Sequence, residues 1–181
     1  MKSILLAVLF CLVSMTSARA ELRAGAAKVD VTPPVLPVIR NGGFLEATDN
    51  KVNDPLHARC LVLDDRVTRL AIVVVDSCMV PMDLCDEAKR LASDKTGIPV
   101  DRILISATHA HSAPSAMNYC LGTRADPRYR KFLPAKLAKS IIDANAALQP
   151  AKAAWGRANA AEYTACRRWS YIRGRELTDP F

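Results

Sequence analysis

Apolar residues in this chain come in short runs broken by turn-forming residues, and each run carries its own period. Positions 24–31 read as a strand that ends at Thr32-Pro33-Pro34. Positions 35–53 show no period and contain Pro37, Asn41-Gly42-Gly43 and Asp49-Asn50. An aperiodic stretch of that length exceeds most connections and is often functional. Positions 57–63 and 68–75 are rich in Val, Ile and Leu. With the turn-like Asp64-Asp65-Arg66-Val67 between them, they predict an antiparallel hairpin. The run Leu70-Ala71-Ile72-Val73-Val74-Val75 is almost unbroken, as expected of a strand covered on both faces.

The period then changes. Between Pro81 and about Lys95, the residues Met82, Cys85, Ala88, Leu91 and Ala92 recur at helical spacing and form one stripe. Proline is tolerated in a first turn, Asp83 and Asp86 suit the amino end of the helix dipole, Lys95 suits the carboxyl end, and Gly97 is the stop. Positions 102–107 form the next strand, which completes a βαβ unit and implies a parallel pair. Positions 108–125 are irregular. A second helix is predicted from Pro127 to Ala147, with Phe132, Leu133, Leu137, Ile141, Ala144 and Leu148 on one face and a kink at Pro134. Positions 151–160 read as a further strand, and the last twenty residues follow no clear period. No repeat, low-complexity tract or linker divides the chain. The expected class is therefore α/β, with mixed β-sheet layers and flanking helices.

Composition narrows the picture. Of 181 residues, 50% are apolar, 24% are charged and 7 are glycine, which excludes a disordered chain or a collagen-like polymer. Lys2, the apolar run at 4–13 and the Ala18-Arg19-Ala20 ending give positions 1–20 the form of a secretory signal peptide. The run is too short to span a bilayer, so export to the periplasm or the exterior is expected, leaving positions 21–181. Without Lys2 and Arg19, 23 basic residues face 18 acidic ones, a net of +5, and much of the excess is in Arg157, Arg167, Arg168, Arg173 and Arg175. No basic run exceeds two residues and none is interleaved with aromatics, so no nucleic-acid partner is expected. The cysteines left after export are Cys60, Cys78, Cys85, Cys120 and Cys166, with no C-x-x-C pair to mark a zinc ribbon or a redox site. Cys60 and Cys78 fall within strand-like apolar runs and read as buried small hydrophobes.

Candidate chemistry concentrates at His109 and His111, at the carboxyl end of the predicted strand 102–107. On extended backbone, residues i and i+2 face the same side, so the two imidazoles would converge. The crevice beyond the carboxyl ends of strands is where α/β proteins bind ligands, and imidazole is a common zinc donor. Two loop histidines bonded to backbone are the plainer alternative. Asp54 and His57 could join these two in a metal cluster, although opening a strand is the simpler role for His57. Asp76 closes the strand 68–75 and either bonds a ligating imidazole or caps the turn before the helix. There is no G-x-S-x-G elbow, P-loop or dinucleotide fingerprint, and the surroundings of Cys120 match no thiol-hydrolase context.

Two segments carry a family resemblance. Gly25-Ala26-Ala27-Lys28-Val29-Asp30-Val31-Thr32-Pro33-Pro34 resembles the opening of the neutral/alkaline (non-lysosomal) ceramidase family. Ile105-Ser106-Ala107-Thr108-His109-Ala110-His111-Ser112-Ala113-Pro114 resembles that family's T-H-T-H-S-G-P run, and the order of strand, Asp76-Ser77-Cys78-Met79, helix, strand and H-x-H is also similar. The resemblance implies a zinc amidohydrolase that cleaves the N-acyl amide of ceramide, or a related lipid amide, to sphingosine and a fatty acid. It implies one zinc ion, with His109 as a ligand and His111 facing the substrate amide. It also implies substrate contacts from Gly43, or Gly42 one step off, and from Arg168, or Arg167 beside it. The family's remaining zinc donors, a His, a Glu and a Tyr, match no segment here, and Ala110 and Ala113 stand where the family has Thr and Gly. Positions 21–181 are thus expected to be an incomplete amino-terminal portion of a larger catalytic domain, inactive alone and completed by a C-terminal segment. Contact with a membrane surface would follow from a lipid substrate. The alternative is a non-catalytic exported remnant or binding module that keeps the first half of the fold.

Overall fold

The computed structural model describes residues 22–119 and 123–164, together with the backbone of 168–170 and 176–178. The expected signal peptide at 1–20, Cys120, Cys166 and Arg167 lie outside the described residues. In chain order the elements are β1 (Arg23–Asp30), β2 (Val38–Arg40), β3 (Ala47–Asp49), β4 (His57–Asp64), β5 (Arg69–Val75), α1 (Met82–Thr96), β6 (Ile103–Ala107), α2 (Pro127–Ala146), β7 (Gln149–Pro150), β8 (Arg168–Ser170) and β9 (Glu176–Thr178). Among the described residues, one sheet of five strands runs in the order β6-β5-β4-β1-β7. Its pairings are antiparallel except β5 with β6, which are parallel and joined through α1. The expected mixed α/β sheet with flanking helices, including the βαβ unit, is present.

Local chemistry sets the hairpin of β4 and β5. Asp65 Oδ1 accepts the N–H groups of Val67 and Thr68 at 3.0 and 2.6 Å, and Arg66 takes the left-handed conformation at φ 73°. Along both strands alternate residues are buried: Ala58, Cys60 and Val62 on β4, and Ala71, Val73 and Val75 on β5. They meet Leu84, Ala88 and Ala92 of α1 and Leu133, Leu137, Ile141 and Ala144 of α2 in one core. Burial pushes the Cys60 thiol up to about 12, which makes it an inert packing group.

The opposite face of the sheet is more open. Leu61 of β4, Ile72 of β5 and Leu104 of β6 share one register row there, and Leu104 is 56% exposed. The unbroken apolar run of β5 is therefore covered on one face and not on both. The reason is that α2 packs beside α1, against β1 and β4, rather than across the sheet from it.

Both helices are capped as their sequences dictate. Gly97 ends α1 in left-handed backbone and donates its N–H to Ser93 O at 2.8 Å. The buried stripe of α1 is Leu84, Ala88 and Ala92, while Met82 is exposed. Asp126 caps α2 by accepting the N–H groups of Arg128 and Tyr129 at 3.0 and 3.1 Å. The helix runs through Pro134 without interruption. An interior proline costs about 3 kcal/mol. Burial of Leu133, Leu137 and Ile141, at roughly 1.5–3 kcal/mol each, outweighs it.

Three other expectations need correction. Positions 35–53 are not wholly irregular, because β2 and β3 pair as a short hairpin within them. Positions 151–160 form no strand: only Gln149 and Pro150 reach the edge of β1, after which Ala151 donates to Leu22 O at 2.8 Å and the chain departs, with Trp155 94% exposed. Apolar content there has no partner strand to pair with. The last twenty residues do include a backbone hairpin, β8 with β9. No helix among the described residues is long and apolar enough to cross a membrane.

One charged cluster joins the sheet to α2. Asp64, buried at the end of β4, receives Arg23 from β1 and Arg69 from β5, and Arg69 Nη1 also donates to Asn145 Oδ1 of α2 at 3.0 Å. Hydrogen bonds from Arg23, and further ones from the Arg66 N–H and Arg69, hold the Asp64 carboxyl at about 2. Asp64→Ala should cost about 2 kcal/mol at neutral pH, from the loss of charge-assisted bonds. The folded value lies below the unfolded one, about 3.9, so this stabilisation is present above pH ~4 and is lost as pH falls through about 2. Urea unfolding at several pH values should show wild type and variant converging at the acid end.

Candidate metal centre

In the parallel pair, Val75 of β5 lies opposite Ala107 of β6. The two chains therefore leave the sheet side by side, and backbone bonds stitch them together beyond it. Thr108 donates to Val75 O at 3.0 Å and Ala110 to Ser77 O at 3.1 Å. Buried Ser77 closes the loop after β5 by donating Oγ–H to Met79 O at 3.2 Å. Cys78 follows, 1% exposed, with its carbonyl facing the His109 ring.

The two imidazoles are oriented by what each can donate. His109 Nδ1 lies 3.0 Å from Cys78 O, a group that only accepts, so Nδ1 carries the proton and Nε2 holds a lone pair. His111 Nε2 lies 3.1 Å from His109 Nε2, so with the His109 proton on Nδ1 it is His111 that donates. The rings meet edge to face, with centroids 4.7 Å apart and planes at 78°. The convergence does not come from extended backbone. His109 is left-handed, at φ 63°, and the chain turns at His111. Such backbone costs on the order of 1–2 kcal/mol in a residue with a side chain.

A second layer holds this turn. Asn41, just past β2, donates its N–H to Ala113 O at 3.0 Å, and Ser115 donates to Ile39 O at 2.7 Å. The fully buried Asn41 side chain bonds Ser115 Oγ at 3.3 Å and accepts the Gly42 N–H at 2.6 Å. Asp126 joins the same network, donating its N–H to Ser115 O at 2.8 Å while its carboxylate takes the Ile39 N–H at 3.3 Å. Gly42 sits at φ 98°, and a Cβ built on it would lie 2.4 Å from both Cα and Cβ of His111. Only glycine fits that contact.

The structure brings together some of the expected residues and separates others. His109 and His111 meet. Gly42 touches His111, whereas a Cβ on Gly43 would meet only the backbone of Leu45, at 3.2 and 3.9 Å. Arg168 lies on β8, and its side chain is outside the described residues. Asp54 and His57 are not part of the cluster. Asp76 neither bonds an imidazole nor caps α1. It accepts the His57 N–H at 2.9 Å and Arg59 Nη1 at 2.8 and 2.9 Å, because its strand end faces the start of β4.

Cys78 was hidden by its apolar neighbours. It is not within the strand but three residues past Val75, while His109 is two past Ala107, and these two strand positions are register partners. That both residues leave the same edge of a parallel pair, within three residues of register partners, was the available signal. One donor atom each from Cys78, His109 and His111 lie within 4.8 Å of one another, the one such group among the described residues. Nitrogen and sulfur donors suit zinc and its neighbours rather than calcium or magnesium.

A cleft of about 430 Å³ opens between the first loop, positions 35–53, and the segment that follows His111, with Leu36, Val38, Val52, Ser112 and Pro114 among its lining. At the tip of the first loop, Phe44 and Leu45 are 95% and 84% exposed. Beside them Arg124 clasps Glu46 at 2.6 Å and holds its carboxyl down to about 2.

Among solved structures the chain is similar to neutral ceramidase from Pseudomonas aeruginosa, with a TM-score of 0.63 and 24% identity over 72% of this chain and 22% of that one. It is likewise similar to a ceramidase complexed with C2, with a TM-score of 0.61 and 22% identity over the same shares. The chain thus spans 22% of the length of these structures, and the likeness shows a partial ceramidase-like fold. No family model and no curated protein matches it.

Gly42→Ala should displace His111. The imidazole NMR resonances of His111 should move while the amides of β4 and β5 stay in place, with about 1 kcal/mol or more lost in stability.

Proposed function

We propose that this chain is the amino-terminal part of an exported zinc-dependent amidohydrolase of the neutral ceramidase type, acting on the N-acyl amide of ceramide or a related lipid amide. The observation that carries the reading is the paired imidazoles at the carboxyl end of β6, with His109 Nε2 turned outward by the bond from Nδ1 to Cys78 O. A ligating histidine anchored through its other nitrogen is the usual arrangement at a metal. The partial fold likeness agrees with it.

In this reading His109 holds the zinc ion and His111 faces the amide carbonyl. The ion supplies Lewis acidity to polarise the carbonyl and to activate water. His111 donates a hydrogen bond to the oxygen that gains charge as the amide is attacked. Gly42 keeps that ring in place, and Gly43 and Arg168 contact the substrate. The resemblance's remaining zinc donors come from a complementing C-terminal segment, so positions 21–181 are inactive alone. Exposed Phe44 and Leu45, at the tip of the loop between β2 and β3, support contact with a membrane surface that presents the lipid. No nucleic acid takes part.

The exported product, cleaved near Ala20, should release fatty acid from a fluorescent short-chain ceramide only when joined to a downstream segment bearing a His, a Glu and a Tyr. Turnover should stop with a chelator and in His109→Ala. In His111→Ala, kcat should fall by about 10²–10³ with less effect on KM. Chelator-insensitive turnover would overturn the zinc-dependent reading, and no turnover in the joined form would favour the non-catalytic remnant. Phe44→Ser should weaken co-sedimentation with ceramide-containing vesicles.

A further inference from the structure

We propose that the free edge of β6 and the open sheet face beside it form one docking surface, which takes an extended strand and an apolar layer from the complementing C-terminal segment. The inference rests on the amidohydrolase reading only for where that segment comes from.

The edge is defined by which way the backbone points. Thr108 donates its N–H to Val75 O at 3.0 Å. Alternate residues of a strand turn their N–H groups to the same side, so Leu104 and Ser106 serve β5 as well, while Ile105 and Ala107 aim theirs away from it. Among the described residues β6 is the last strand of its sheet and pairs with β5 alone. Such an unpaired row is a template for another strand, and proteins that leave one in water blunt it with proline or charge. The opposite edge of this sheet is blunted in that way. Pro150 ends β7, and the part of β1 beyond the β7 pairing carries exposed Lys28 and Asp30. Ile103-Leu104-Ile105-Ser106-Ala107 carries neither device.

The face is apolar where it meets that edge. Ala26, Leu61, Ile72 and Leu104 form one row across β1, β4, β5 and β6, and Leu61 and Leu104 are 40% and 56% exposed. Val74, in the next row, is 37% exposed. Every residue of β5 from Leu70 to Val75 is apolar, the pattern of a strand buried on both sides, and the two helices bury only one. Leu104 belongs to both features, since it lies on the open face of the edge strand.

The occupant has to satisfy both at once. A second copy that pairs its β6 with this one covers the edge and leaves both faces bare. A second copy stacked on the face leaves both edges bare. A polypeptide of several elements supplies a strand for the edge and a layer for the face together. The partial fold likeness agrees, because this chain spans 22% of the ceramidase structures to which it is similar.

Hydrogen exchange read at single amides tests the surface. In the full 181-residue chain alone, the amides of Leu104 and Ser106 should be protected and those of Ile105 and Ala107 should exchange freely. Joining the chain to the downstream segment should slow Ile105 and Ala107 by more than about a hundredfold, as for amides inside a sheet. Leu104→Lys should leave the circular dichroism of the chain alone unchanged. It should weaken capture of the segment, added as a separate chain, by more than about tenfold, because it buries a charge. Free exchange of Ile105 and Ala107 in the joined form, or capture indifferent to Leu104→Lys, would overturn the docking surface. So would protection of these amides in the chain alone, which assigns the edge to a second copy if it grows with concentration and to the chain's own residues if it does not. Hydrolysis separates this inference from the lipid-amide reading. Slowed amides in a joined form that releases no fatty acid uphold the docking and sink the amidohydrolase, and fatty acid released while both amides exchange freely does the reverse.

Discussion

Parallel pairing of β5 with β6 is the constraint on which the candidate site depends. A parallel pair sends both chains off the same edge of the sheet, and the register of Val75 with Ala107 decides which residues leave together. A one-residue slip would turn the side chains of one strand to the opposite face and carry its loop with it. The covered face opposes that slip, because Ala71, Val73 and Val75 fit beneath α1 and α2 only in this phase. Packing energy in the core thus sets the positions of two loops that are not themselves in the core. The bonds from Thr108 to Val75 O and from Ala110 to Ser77 O then extend the register past the last paired residues.

The loops are held by polar groups, and each of those is satisfied. Asn41, Ser115 and Asp126 are buried and bonded among the first loop, the segment after His111 and the start of α2. A buried network of this kind rigidifies when complete and is costly when broken. It also explains how left-handed backbone at His109 and Gly42 is tolerated next to each other: the flanking segments are tied on both sides, so neither residue can relax. The cap of α2 therefore does more than end a helix. Asp126 serves the helix through Tyr129 and the site through Ile39.

Much of the scaffold was legible because its elements carry strong periods. The hairpin of β4 and β5, the crossover through α1 and the buried stripe of α2 stand within a residue or two of their expected bounds. Where period is weak, local pattern misled. Positions 151–160 look like a strand but have no partner, and pairing, not composition, makes a strand. The site was legible in its histidines and not in its sulfur. Apolar neighbours made Cys78 look like packing, and only the folding of the two loops beyond the parallel pair brings its sulfur to 3.8 Å from His109 Nδ1. Gly42 was harder still, since its contact with His111 depends on the fold of the loop and not on spacing.

The crossover connection through α1 has a consequence for the order in which this protein assembles. β4 and β5 are joined by a tight turn and can pair early, but Cys78 and His109 are separated by a whole helix and the strand after it. They meet only after that loop has closed, and parallel pairings of this kind are slow steps because the entropy of closure comes before the contacts that repay it. The Asn41 tether spans a longer stretch still, to Ser115. Refolding should therefore regain the hairpin of β4 and β5 before these loops come together.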